Sequence, residues 1–536
     1  MHVFRLGCLA TAGLALWAIG ASAQKCSMLS ELKLDRVEIT SAEDVPAGTF
    51  QAQPQAGSQH VIPPAQVKAF CRVVGVSRPV PGSVIGFEVW LPKPEVWNKR
   101  LEGVGNGAYA GRISYGALEN ALNEGYAAAS TDTGHHGSEL NFAVGHPEAI
   151  TDWGERATHE TAQVARKVIR AYYGSAPDHA YFNGCSTGGM QALSEAQRYP
   201  EDYDGILAGD PGNNRVHLNA GFLWDFEAAH PHGSLVLDDA LLQLLHHAVL
   251  EACDAADGVK DGVLEDPLAC RFDPHTLECK PGETAGCLTP VQVEAVTKIY
   301  SGPRNPRSGE QIIGGYSPGS EIVTGGGDYQ GWKNFITGPK EPARLDFWKL
   351  WVFHDPAWDW HQFDFDRDVT LADGEMKMVN AVNPDLGPFA ARGGKLLMYH
   401  GWVDPVGPPS DSIAYFRAVQ KASGSPERAR SFLRLYMVPG MSHCTGGPGY
   451  ELAGGARGVD NPNDMTKWPS PDAEHDMLRA LDAWVTRGKP PEALIAAHYE
   501  EGKPTRTIKV CPFPQVARWT GKETSASAEN WVCREQ

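Results

Sequence analysis

The sequence has no Cys-x-x-Cys pair, although it carries 11 cysteines in 536 residues. That argues against a zinc ribbon or a thioredoxin-type redox site. It has no excess of positive charge: 47 Lys and Arg against 65 Asp and Glu give a formal net charge of -18. A phosphate backbone demands clustered cations, so this balance argues against a nucleic-acid partner and disfavours docking on anionic lipid. The acidity says nothing positive about a partner, since it mostly serves solubility. There is no internal repeat and no long low-complexity tract. Beyond the N-terminus no segment offers the roughly 20 consecutive apolar residues of a membrane-spanning helix, so the mature chain is expected to enter no membrane.

What is present is the composition of a folded protein, 42% hydrophobic and 21% charged. The length calls for two or more lobes. The N-terminus reads MHVFRLGCLATAGLALWAIGASAQ: one Arg5, an apolar run over 6–19, and the small-x-small site Ala21-Ser22-Ala23. This is the pattern of a secretory signal over 1–23, with cleavage before Gln24 and a periplasmic or secreted product. Cys8 precedes most of the apolar run, a poor place for lipid attachment. Setting it aside leaves ten cysteines, an even number that in an exported chain predicts disulfides.

Residues 86–91 and 101–104 read as early strands, followed by the Gly-rich bend GNGAYAG. Residues 126–130 read as a short buried strand. The spacing of Val164, Val168, Ile169 and Tyr172 predicts a helix over 155–173, stopped at Gly174. A strand from His179 to Phe182, the turn NGCSTGG and a helix from Met190 to Arg198 follow, then a strand at 205–208. After Asp210-Pro211-Gly212 the character changes. Residues 213–380 hold four clustered cysteines, a Gly-rich loop and a dense aromatic segment, and are expected to form an inserted lid. The α/β pattern resumes with strands at 395–399 and 433–438 and a helix near 472–487. The catalytic domain is thus expected over 24–212 and 381–536.

Gly184-x-Ser186-x-Gly188 has the spacing of a nucleophile elbow, a weak signal alone in a chain with 58 glycines. The strand–turn–helix context strengthens it, because that is the geometry that exposes the central serine. A serine needs a base, and the base an orienting acid; in α/β-hydrolases the acid follows the serine and the histidine comes last. Asp404 lies just past the strand at 395–399, and His443 just past the strand at 433–438. His400 competes for the base role but precedes Asp404. Cys185 precedes Ser186 and Cys444 follows His443. If Ser186 and His443 meet, their neighbours come within disulfide reach, which predicts a Cys185–Cys444 staple. The rival reading, a Cys185 thiolate nucleophile, would have to escape oxidation outside the cell and occupies the wrong elbow position. Oxyanion donors are expected from the N–H of Thr187 and from the Gly105-Asn106-Gly107 loop, with Gly105 chosen.

The segments GCSTGG, GWVDPVGPP and PGMSHC together resemble those of the tannase and feruloyl esterase family, over nearly the whole mature chain. That family also contains a hydrolase of mono(2-hydroxyethyl) terephthalate. The resemblance implies an α/β-hydrolase core with a large inserted lid and cleavage of small esters of aromatic acids, with no organic cofactor. It also implies the pairs Cys26–Cys71, Cys253–Cys270, Cys279–Cys287 and Cys511–Cys533. The run from Cys253 to Val263 places Asp254, Asp257 and Asp261 within eight residues. By spacing alone a solvated acidic turn is an equal reading, and the run is not an EF-hand. The resemblance implies a structural Ca²⁺, with Val259 and Val263 as carbonyl donors.

The segment 347–368 holds eight Phe and Trp residues, which suit a flat apolar slot for an aromatic acyl group; for most of them the lid's own core is the simpler place. The expected substrate is a hydroxycinnamate ester, with gallate esters and a terephthalate monoester as alternatives. A catalytically inactive binding protein on the same scaffold is the alternative of a different class. Nothing reads as a recognition pocket for a free peptide end, against a peptidase.

Overall fold

The computed structural model describes residues 24–52, 63–455 and 472–535. The signal expected at 1–23 lies outside the described residues. Nine strands form the main sheet among them: β1 (Val37–Val45), β2 (Phe70–Ser77), β3 (Ile85–Pro92), β4 (Arg100–Val104), β5 (Ala127–Thr131), β6 (His179–Cys185), β7 (Gly205–Gly209), β8 (Lys395–Gly401) and β9 (Leu433–Val438). Their spatial order is β1-β2-β3-β5-β4-β6-β7-β8-β9. β1, β2, β3 and β5 pair antiparallel in turn, and from β5 to β9 every pairing is parallel.

The parallel strands are apolar on both faces because both are covered. Phe182, Ile206, Ala208, Leu396, Met398 and Leu435 bury into one core. Their neighbours in sequence, Tyr181, Leu207, Leu397, Tyr399 and Tyr436, bury into the core on the opposite face. Helices α1 (Tyr115–Asn123), α2 (Ala157–Tyr173) and α3 (Thr187–Arg198) follow β4, β5 and β6. α2 stops at Gly174, whose φ of 76° is the left-handed cap that glycine supplies without a steric cost. It begins later than the expected 155, after a π-helical turn at Asp152–Arg156.

The long insertion runs between β7 and β8. It carries α4 (Arg215–Ala229), α5 (Asp239–Cys253) and α6 (Pro290–Ser301). A separate apolar cluster that includes Leu237, Leu245, Val249, Val296 and Trp332 holds α5 and α6 together. The two ends of the insertion meet: Ala381 N–H donates to Asn213 O at 2.7 Å, and Asn214 and Asn380 bridge. The aromatic segment behaves differently. Phe347, Trp348 and Trp351 are fully buried in the same core as β3 and α2. Trp351 donates its indole N–H to Leu140 O at 2.9 Å and Trp348 to Asn219 O at 3.3 Å.

Past β9, α7 (Pro409–Ala422) having preceded it, the chain forms α8 (Met477–Arg487), which Asp476 caps by accepting from Arg479 N–H at 2.9 Å. Two hairpins end the chain, Leu494–Glu500 with Lys503–Val510 and Val516–Trp519 with Trp531–Arg534. Cys26–Cys71, Cys185–Cys444, Cys253–Cys270, Cys279–Cys287 and Cys511–Cys533 are all bonded. No helix among the described residues is long and apolar enough to cross a membrane. The architecture is an α/β-hydrolase core with a large inserted lid.

Candidate active site

In parallel strands all carboxyl ends lie on one edge, where open α/β sheets hold their ligands. The ends of β6, β7, β8 and β9 deliver Ser186, Asp210, Asp404 and His443 to that edge. Ser186 stands between β6 and α3 at φ 62° and ψ -121°, a conformation that costs an L-residue and that the elbow imposes. The turn is tight: a Cβ on Gly184 would stand 2.2 Å from Gly188 O. Ser186 N–H donates to Gly209 O at 2.9 Å, which pins the elbow to β7.

His443 Nδ1 lies 2.7 Å from Asp404 Oδ2, and Asp404 is fully buried. Asp404 Oδ1 accepts N–H bonds from Val406 at 2.7 Å and Gly407 at 3.2 Å. Burial alone would raise its pKa. The charge of His443 and hydrogen bonds from His400 and His443 more than offset that and hold it well below the usual carboxylate range. The Cys185–Cys444 disulfide, with Cα atoms 5.9 Å apart, joins the residue before Ser186 to the residue after His443 across 259 positions.

Gly105 does not occupy the place expected of it. Its N–H donates to Asn183 O at 3.0 Å, because the β4–β6 ladder runs one residue past the strand. Asn106 N–H is likewise taken, by Gln191 Oε1 at 3.0 Å. The next amides, of Gly107 and Ala108, make no hydrogen bond among the described residues, so the free donors of this loop lie two or three positions later. Thr187 opens α3, and its hydroxyl donates to Ala108 O at 2.7 Å, clamping that loop to the elbow. Arg215, buried against the rings of Tyr109 and Trp153, donates in turn to Thr187 Oγ1 at 3.0 Å.

The lid closes over the base. Tyr329 meets the His443 ring edge-on with centroids 5.3 Å apart. Gly447, on the loop after His443, donates its N–H to Gly325 O of the lid's Gly-rich loop at 3.1 Å. Around Tyr329 stand Phe335 and Phe222, and the Arg344 guanidinium lies 5.5 to 5.8 Å from the rings of Phe222, Tyr109 and Phe335. Arg344 has no carboxylate partner among the described residues. Neither Tyr329 nor Arg344 was singled out by the sequence reading; both lie in the lid, where no period marks which residue faces inward.

At the acidic loop Asp254 is buried and accepts N–H bonds from Asp261 at 3.2 Å and Gly262 at 3.0 Å. Asp257 and Asp261 accept from Val259 and Val263, at 2.8 and 3.3 Å. Arg506 pairs with Asp261 at 2.9 Å. Glu265, which the sequence reading did not include, is a further buried carboxylate beside them. Burial, and then the repulsion of Asp261 and Asp254, push Asp257 up to about 6. Asp254, Asp257 and Asp261 offer the hard oxygen donors that Ca²⁺ takes, and Arg506 already compensates the charge of Asp261.

An elbow serine on one strand end, with a buried acid–imidazole pair on two others, is an arrangement that an α/β-hydrolase fold carries. The chain belongs to the tannase and feruloyl esterase family, whose model matches residues 71–534. It is 38% identical to an uncharacterized esterase of Xanthomonas campestris pv. campestris, over 98% of this chain and 93% of that protein. It is 29% identical to a probable feruloyl esterase B of Aspergillus clavatus, over 97% and 99%. The crystal structure of feruloyl esterase B from Aspergillus oryzae superposes with a TM-score of 0.86 at 25% identity, over 95% of this chain and 99% of that one. The chain is a carboxylic ester hydrolase of the feruloyl esterase and tannase type.

Proposed function

We propose that the protein is an exported esterase that releases hydroxycinnamic acids from their esters through an acyl-enzyme on Ser186. The observation that carries this is the 2.7 Å Asp404–His443 contact beside an elbow serine, with a disulfide joining the two halves. His443 takes the proton of Ser186 as its oxygen attacks the ester carbonyl, and Asp404 accepts from the imidazole and stabilises its charge. The N–H of Thr187 and an amide of the 107–108 loop serve the oxyanion. His443 then protonates the leaving alcohol, and water releases the acid by the same route. The aromatic surround of Tyr109, Phe222, Tyr329 and Phe335 suits a flat acyl group. Relatives named feruloyl esterase B favour ferulate among such acids. Bound Ca²⁺, held by Asp254, Asp257 and Asp261 with the carbonyls of Val259 and Val263, would tie the lid loop together and take no part in the chemistry.

One observation favours a second reading. Arg344, with aromatic rings around it and no acidic partner among the described residues, would suit an acyl group that itself carries a carboxylate, such as a terephthalate monoester. Hydrolysis of methyl ferulate, methyl gallate and a terephthalate monoester in parallel decides between them. Ferulate is expected to be fastest, and Ser186→Ala to abolish all three. A terephthalate preference that Arg344→Ala removes would overturn the ferulate reading. An unmodified Ser186 after organophosphate treatment of folded protein would favour a binding protein instead.

A further inference from the structure

Behind the Asp404–His443 pair lies a second buried carboxylate and a second buried imidazole. Asp210, the residue after β7, is 2% exposed, and His400, on β8, is 1% exposed. Asp210 Oδ1 accepts from Gly401 N–H at 2.8 Å. Its Oδ2 accepts from Cys444 N–H at 3.2 Å and lies 3.4 Å from Cys185 Sγ, which, bonded to Cys444, has no proton to give. The interacting atoms of Asp210, Asp404 and His443 all lie within 4.8 Å of one another.

His400 stands between the two acids. Its Nε2 is 3.3 Å from Asp404 Oδ2, 3.7 Å from Asp210 Oδ1 and 3.2 Å from Gly407 O. All three are acceptors, so this nitrogen carries a proton. Its Nδ1 is 2.7 Å from the Ser412 hydroxyl, which can donate or accept there. Two carboxylates this close, away from water, do not both ionise without a compensating charge. If Asp404 took the shared proton it could not serve His443.

We propose that Asp210 and His400 form a second acid–imidazole pair that holds one proton between them, leaving Asp404 as the single net negative charge that faces His443. They are positioning residues, acting on the reaction through Asp404. Burial pushes Asp210 up to about 7, with His400 opposing and Asp404 reinforcing the rise. Burial would lower His400, but Asp210 and Asp404 raise it above the ordinary imidazole value. The other titratable groups that face the pair are Asp411 on α7, pushed up to about 6 by burial, with His217 and His400 opposing, and His443 itself. The proton stays within the pair during turnover; the proton that moves is that of Ser186.

The inference rests on the triad proposed above, and its test separates the two. His400→Gln keeps an N–H donor but holds no charge, so Asp210 and Asp404 must compete for a proton. The acid limb of the kcat/KM–pH profile is expected to move up by at least about one pH unit, roughly tenfold less activity on the acid side, with recovery at higher pH. Adding Asp210→Asn removes the second acid, and the limb is expected to return toward its wild-type position. A limb that does not move in His400→Gln, or that stays displaced in the double variant, overturns the proposal. If His400→Gln does not fold, rescue of folding by Asp210→Asn supports it, and failure of rescue overturns it. Ser186→Ala is run alongside: activity surviving there rejects the triad, whereas an unmoved limb with Ser186→Ala inactive rejects the second pair alone.

Discussion

Replacing both Cys185 and Cys444 by alanine separates what the bond does for stability from what it does for the reaction. It closes a loop of 259 residues. The chain-entropy relation for such a loop gives about 5.5 kcal/mol at 25 °C. The two disulfides inside the loop, with separations of 17 and 8, shorten it too little to change a logarithm. Natural disulfides return about 2–5 kcal/mol, so a loss of about 3–5 kcal/mol is expected by urea unfolding. The catalytic effect comes from geometry. Without the bond, the 5.9 Å Cα separation rests on weaker contacts, among them the Cys444 N–H to Asp210 bond. A displacement of about an ångström at the reacting groups costs on the order of 100-fold. We therefore expect kcat on methyl ferulate to fall about 10- to 100-fold at a temperature where the variant remains folded, with KM changing less. A folded variant that is less stable but turns over at the wild-type kcat would refute the positioning argument and leave the bond a purely structural one.

Thr187→Val removes the hydroxyl that links Ala108 O and Arg215 while keeping the shape; kcat is expected to fall about tenfold or more as the loop amides drift, and unchanged steady-state kinetics would show the clamp to be idle. Gly184→Ala forces a Cβ to 2.2 Å from the backbone oxygen of Gly188, and should cost about 3 kcal/mol or more in urea unfolding. Asp132 and Asp257 are pushed by burial up to about 7 and about 6. Such acids stay protonated in the folded chain where the unfolded chain has lost the proton. The stability they contribute is full below about pH 4 and is lost as pH rises through 6 to 7. In a chelator the melting temperature should thus be higher at pH 5 than at pH 8. Added Ca²⁺, which needs ionised carboxylates, should raise it more at pH 8, and an equal or absent calcium shift at both would count against the site.

The parts proposed to carry the reaction are legible because each is announced locally. A strand, a Gly-flanked serine and a helix follow one another at 179–198, and Asp404 and His443 each stand just beyond an apolar run. Gly105 was misplaced because how far a ladder continues past a strand depends on its neighbour, here Asn183, and not on its own sequence. Asp210 follows its strand just as Asp404 does, yet its closeness to His400 appears only once β7 and β8 lie side by side. β1, at the sheet edge, alternates between half-buried and exposed residues, and the hairpin strand Lys503–Val510 begins with three exposed residues, so neither shows a strong apolar period. In the lid, turns and short helices leave no period from which Tyr329 or Arg344 could have been read.

Phe347, Trp348 and Trp351 share one core with β3 and α2. A cover that hinges must be able to part from what it covers, and three large rings sunk into a close-packed interior do not part. The segment is therefore a mould cast onto the body and not a jaw. On the proposed reading, this part of the lid holds its shape before a substrate arrives. A change of preference at the proposed acyl site then calls for substitutions at residues such as Phe222, Phe335 or Arg344, beside a segment that stays in place.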